Sequence, residues 1–156
     1  MNEIDLNIID RHPRDAVRFF KIMMRLEYAL KACGFAEMNR AGLEIQWDQF
    51  ANERLGKAFF ERIQKSGNAD MLIGAPPSRQ VLREDKSLDF DLVTECRCVQ
   101  DLMGALRRTR NNLFHGGKAG DRDHDRNDAL IAEAIHVVEE ILKTDEKLRF
   151  EFEGLA

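Results

Sequence analysis

Phe19, Met23, Leu26, Leu30 and Cys33 follow one another in steps of four, three, four and three. That is the rhythm of an apolar stripe along one side of an α-helix. It predicts a helix over about residues 15–33, with Gly34 placed to close its C-terminus. Phe50, Leu55, Phe59 and Ile63 mark a second helix over about 48–65, stopped by Ser66-Gly67-Asn68. A third is expected over roughly 90–112 and a fourth over about 125–144, with Ile131, Ala134, Val138 and Ile141 inward. Asp123, Asp125 and Asp128 gather at the start of the fourth, where the helix dipole favours negative charge. Four such helices define an all-α chain, a four- to five-helix bundle in a single domain over 1–156, after an irregular lead-in at about 1–13.

The segments between the helices are less regular. Residues 36–46 read as a short helix or a turn, with Trp47 as an anchor. Gly74-Ala75-Pro76-Pro77-Ser78 is excluded from a helix interior, because proline removes a donor and clashes with the preceding turn. A short helical turn is expected near 80–84, and no segment alternates strongly enough to propose a sheet. The tail Phe150-Glu151-Phe152 reads equally as packed back or as part of a partner contact.

A length of 156 residues with 44% hydrophobic and 33% charged side chains leaves room for one real core. No apolar run approaches the roughly 20 residues that cross a bilayer. Residues 1–5 lack the basic-then-apolar profile of a signal peptide, so the cytoplasm is the expected address and no membrane partner is expected. Cys33, Cys96 and Cys98 form no disulfide framework, and the pair two residues apart makes a poor chelate on a helix. They read as reduced thiols, partly used as small hydrophobes, with no metal and no cofactor expected.

A net charge of −4 argues against broad capture of polyanions. Locally, Arg107, Arg108, Arg110 and Lys118 form a basic stretch without an acid. It suits a local anionic ligand; the alternative is a solvated helix face.

The third helix holds the most informative position. Leu92, Cys96, Val99, Met103, Leu106, Arg110 and Leu113 keep the four-three alternation, and Arg110 alone of the seven is not apolar. An arginine there is either buried with partners or lines an interior cleft or interface, since an unpaired buried charge costs several kcal/mol. Gly116-Gly117 then sets His115 at or just past the helix end. If the helix persists to His115, the two side chains differ by about 140° at roughly 100° per residue; a helix that ends between them lets the histidine swing toward the arginine. Asn111 and Asn112 add amides that donate and accept beside them.

Those parts suit phosphodiester chemistry. An RNA 2′-hydroxyl attacks its own adjacent phosphate once its proton is removed, and a histidine either takes that proton or protonates the leaving oxygen. An arginine grips the phosphate with a fork of donors and stabilises charge growing in the transition state. No metal is required.

The run Arg110-Asn111-Asn112-Leu113-Phe114-His115-Gly116-Gly117-Lys118 resembles the R-x4–6-H signature of the HEPN superfamily. The stretch Arg25-Leu26-Glu27-Tyr28-Ala29-Leu30-Lys31, with Gly34-Phe35 after it, looks like the first helix of small plasmid-borne HEPN proteins. The resemblance implies a helical bundle paired as a symmetric homodimer, with two motifs facing one composite cleft. It also implies a metal-independent endoribonuclease leaving 2′,3′-cyclic phosphate and 5′-hydroxyl ends, serving in toxin-antitoxin or antiviral defence and restrained by a partner. Residue by residue, Arg110 and His115 match the catalytic pair and Asn111 the polar position that follows the arginine.

Glu27, on the edge of the first helix's stripe, is placed to pair with Arg110; its alternative is an ordinary, partly exposed glutamate. Asn112 is a further supporting candidate. Arg107 and Lys118 are candidate RNA phosphate contacts, or solvated surface charges. His12, His124 and His136 are assigned no chemistry. Two other functions fit the same residues. One is a non-catalytic HEPN module that binds a nucleotide, an RNA or a partner nucleotidyltransferase; intact Arg110 and His115 count against it. The other is a dimeric interaction or antitoxin-like protein in which Arg110 only specifies pairing.

Overall fold

The computed structural model describes residues 3–115 and 123–155. Helix α1 (Ala16–Ala32) turns its stripe inward, with Phe19, Met23, Leu26 and Leu30 fully buried. Gly34, at φ +87°, closes it. Its N–H donates to Lys31 O at 3.1 Å, and the Phe35 N–H donates to Leu30 O at 2.9 Å. This paired termination needs a left-handed residue at Gly34.

Two antiparallel hairpins correct the expectation of an all-helical chain. The first pairs β1 (Ala36–Asn39) with β2 (Gly42–Ile45) where a helix or turn was open. Asn39 Oδ1 accepts the Ala41 N–H at 2.8 Å and fixes its turn. The second pairs β3 (Arg79–Leu82) with β4 (Leu88–Asp91), replacing the helical turn expected near 80–84. Arg83 ties this hairpin together through Asp89 and Asp91. Both hairpins are largely exposed on both faces. They therefore carry no half-buried alternation for a sequence pattern to reveal.

The second helix is interrupted. A turn of helix α2 (Trp47–Phe50) passes into a π-helical turn, Ala51–Leu55, before α3 (Gly56–Ser66). The break falls at Gly56, whose φ of +72° is outside the range of an ordinary helix residue. The apolar positions survive it: Phe50, Leu55, Phe59 and Ile63 are all buried, as is Trp47. Helix α4 (Asp70–Gly74) follows; the Glu133 carboxylate accepts the Met71 and Leu72 N–H groups at its start.

The third long helix, α5, spans Val99–Phe114 and starts nine residues later than expected. Phe90 lies in β4, Leu92 is 93% exposed, and Cys96 is buried in the loop before α5. Burial pushes the Cys96 thiol up to about 11, so it serves as a small hydrophobe. From Val99 onward the stripe holds, with Val99, Met103 and Leu106 buried.

Helix α6 (His124–Thr144) begins with Asp123 Oδ1 accepting the Arg126 N–H, and Asp128 Oδ1 accepts the Arg14 N–H at 2.6 Å. Helix α7 (Glu146–Glu153) carries the tail back onto α1, where Arg25 donates to Phe152 O and Glu151 O. The core cluster draws side chains from every helix from α1 to α7. The protein is thus mostly helical, with the two hairpins standing off the packed helices.

Asp145 joins α6 to α7. Its carboxylate takes Arg54 Nε at 2.7 Å and Nη2 at 3.0 Å, and also accepts the Leu148 N–H. Burial pushes this carboxyl up, but the Arg54 guanidinium and the N–H groups opening α7 outweigh it and hold its pKa below the ordinary value. The stabilisation is therefore present above the unfolded value of about 4 and is lost as pH falls through the folded one. Arg54 is partly in water, which screens the pair. We expect Asp145→Asn to cost about 1–2 kcal/mol at neutral pH. Denaturant unfolding should show the gap from wild type closing below about pH 4.

Candidate functional site

Arg110 follows Val99, Met103 and Leu106 on the same side of α5 and so leaves the helix on its core face. Its guanidinium turns sideways. Nε and Nη2 donate to Asn111 Oδ1 at 3.0 and 2.8 Å, and Nη1 forms an ion pair with Glu27 Oε1 of α1. The two charged side chains are each 25% exposed. Burial lowers the pKa of Arg110, and the adjoining carboxylate offsets the cost of holding its charge there. Three of the five guanidinium N–H groups are engaged, leaving two for a ligand.

His115 ends α5, with φ −84° and ψ 9°, its N–H donating to Asn111 O at 2.9 Å. The helix therefore persists to His115, and the 140° offset from Arg110 would part the two side chains. Asn111 and His115, however, differ by only about 40°. By folding onto Asn111, the guanidinium moves into the sector of the helix that His115 occupies. The result is one cleft of about 340 Å3 lined by Glu27, Arg110, Asn111 and His115, together with Phe20, Met24 and Phe114. Phe20 and Phe114 stack at 5.9 Å with 6° between their planes, and His115 meets Phe114 edge-on at 5.4 Å.

Two sequence candidates are not brought to this cleft. Asn112 is buried on the opposite flank, where Nδ2 donates to Ser78 O at 3.0 Å. It lies 100° from Asn111 and faces the Pro76-Pro77-Ser78 loop, so its role is to hold that loop. Arg107 packs over the Trp47 indole, 5.6 Å from the ring centroid, beside Glu37 and Glu44 of the first hairpin. The structure thus places Arg107 against Trp47 of α2 and away from the cleft. Lys118 lies outside the described residues.

Sequence reasoning missed Phe20, Met24 and Phe114. The signal was present: Val17, Phe20 and Met24 make a second stripe on α1, beside the buried one, and all three are exposed together with Phe114. A helix that is apolar on two faces has more to cover than one core.

Among the described residues, no group of three or more histidine, cysteine, aspartate or glutamate side chains is arranged to hold a metal ion. No described helix is long and apolar enough to cross a membrane. No family model, no curated protein and no solved structure matches the chain.

Proposed function

We propose that the protein is a HEPN-type endoribonuclease. It cleaves RNA without a metal by attack of a 2′-hydroxyl on the adjacent phosphate, leaving 2′,3′-cyclic phosphate and 5′-hydroxyl ends. The observation that carries this reading is the half-buried Arg110 guanidinium, held by Glu27 and Asn111 in the cleft that His115 also lines. A guanidinium with free donors binds a phosphate and meets the charge that grows on it. An imidazole lining the same cleft can take or give a proton.

The reading includes a homodimer. The exposed face formed by Val17, Phe20, Met24 and Phe114 borders the cleft, and a twofold axis through it would set two motifs across one composite groove. A cytoplasmic defence or toxin role, restrained by an antitoxin or a nucleotidyltransferase partner, belongs to the same proposal.

The test is cleavage of mixed RNA in excess chelator, with end-group analysis and a sedimentation run on the same preparation. We expect metal-independent cutting with cyclic phosphate ends by a dimer. His115→Ala should reduce the rate by about 10²–10⁴ while leaving RNA binding in place. Binding without cleavage by the unaltered protein would favour the non-catalytic module instead.

A further inference from the structure

Transfer of a phosphoryl group from a 5′-oxygen to a 2′-oxygen needs two proton movements, one off the attacking oxygen and one onto the leaving oxygen. If the cleft is a ribonuclease site, as proposed above, the His115 of one protomer supplies only one of them. Arg110 supplies neither, since a guanidinium keeps its proton. Among the described residues, the remaining titratable side chain lining the cleft is Glu27. Its Oε1 holds Arg110, and the exposed quarter of its side chain opens on the same space as His115.

We infer that Glu27 is the general base of the reaction and His115 the general acid, so that each protomer carries a complete carboxylate–guanidinium–imidazole set. The Glu27 carboxylate takes the 2′-hydroxyl proton and the 2′-oxygen bonds to phosphorus. The bond from phosphorus to the 5′-oxygen breaks, and the protonated His115 delivers its proton to that oxygen. Glu27 ends neutral and protonated, His115 neutral, and solvent returns each to its starting state. The two uncommitted N–H groups of Arg110 hold the non-bridging oxygens throughout. Pairing with Arg110 fixes the Glu27 carboxylate at the cleft that His115 also lines. Among the described residues lining the cleft, the charged or titratable groups beside it are Arg110 of α5 and His115 at that helix's C-terminal end.

A substrate that needs no acid separates the two roles. Uridine 3′-(4-nitrophenyl phosphate) cyclises with loss of nitrophenolate, which leaves without a proton. Glu27→Gln should lose about 10²–10⁴ in kcat/KM on both RNA and this ester, whereas His115→Ala should lose that much on RNA alone. The pH profile for RNA should be bell-shaped in the unaltered protein and lose its acid-side limb in Glu27→Gln. Glu27→Asp, which keeps a shortened carboxylate and tolerates the case in which Glu27→Gln does not fold, should keep that limb with a reduced kcat and little change in KM. Full ester cleavage by Glu27→Gln, its failure in His115→Ala, or a Glu27→Asp enzyme of undiminished rate would each overturn the assignment while leaving the ribonuclease reading intact. A protein that cuts neither RNA nor ester would overturn both.

Discussion

On the proposed ribonuclease reading, Arg110→Ala is expected to remove RNA cleavage almost entirely, with kcat/KM falling by at least about 10²–10³. Among the described residues lining the cleft, the guanidinium is the only positive side chain, apart from His115 when protonated. Its loss deprives the transition state of its charge partner. The same change leaves Glu27 Oε1, which has no solvent contact of its own, without a counter-charge. A further cost of about 1–3 kcal/mol in stability is expected from that. The two effects separate in a double substitution. Adding Glu27→Gln should recover stability, by removing the orphaned charge, without recovering activity. Arg110→Lys should keep the charge but not the fork that spans Asn111, and should restore only part of the rate. Cleavage assays paired with denaturant unfolding measure both quantities. An Arg110→Ala protein of undiminished rate would remove Arg110 from the reaction and end the HEPN-type reading of this cleft.

The largest loss of stability is expected from Phe19→Ala. Phe19 is 0% exposed on the inner stripe of α1 and belongs to the cluster shared by all the helices. Removing a buried phenyl forfeits its transfer energy and leaves a cavity, about 3–5 kcal/mol in all. Its neighbour makes the control. Phe20 is 37% exposed on the adjoining stripe and stacks on Phe114 at the mouth of the cleft. Phe20→Ala should therefore cost much less in unfolding free energy while altering the cleft wall. Equal destabilisation of the two variants by denaturant titration would contradict the burial pattern.

The contrast between these neighbours explains what was legible in the sequence. Residues such as Phe19, Met23, Phe59 and Ile141 face a common interior, and burial on one side of a helix imposes a period that can be read directly. The hairpins at 36–45 and 79–91 face water on both sides, so no period marked them. The early start assigned to the third helix came from Leu92 and Cys96, which fall in step with Val99 by coincidence of spacing. Cys96 is buried by a loop whose N–H bonds to Ile73 O, and Leu92 is not buried at all.

The site was legible in its residue types, and the anomaly of a cation in line with Val99, Met103 and Leu106 pointed to it. Its geometry was not legible. Angular offset alone would separate Arg110 from His115, and only the long side chain's reach to Asn111 Oδ1 brings them to one cleft. The fates of Arg107 and Asn112 were hidden for a related reason. Both were assigned by proximity in sequence to Arg110, whereas Trp47 and the proline loop that claim them lie far away along the chain.

The Ala75–Ser78 segment lacks sheet partners for its carbonyls, and three side chains supply them: Arg126 to Ala75 O, Arg108 to Pro77 O and Asn112 to Ser78 O. With Arg107 stacked on Trp47, two members of the basic stretch are spent on internal neutral groups. On the ribonuclease reading, these two cations would add little to counterion release when a polyanion arrives, and the grip on the strand would fall more heavily on the fit around the phosphate at Arg110.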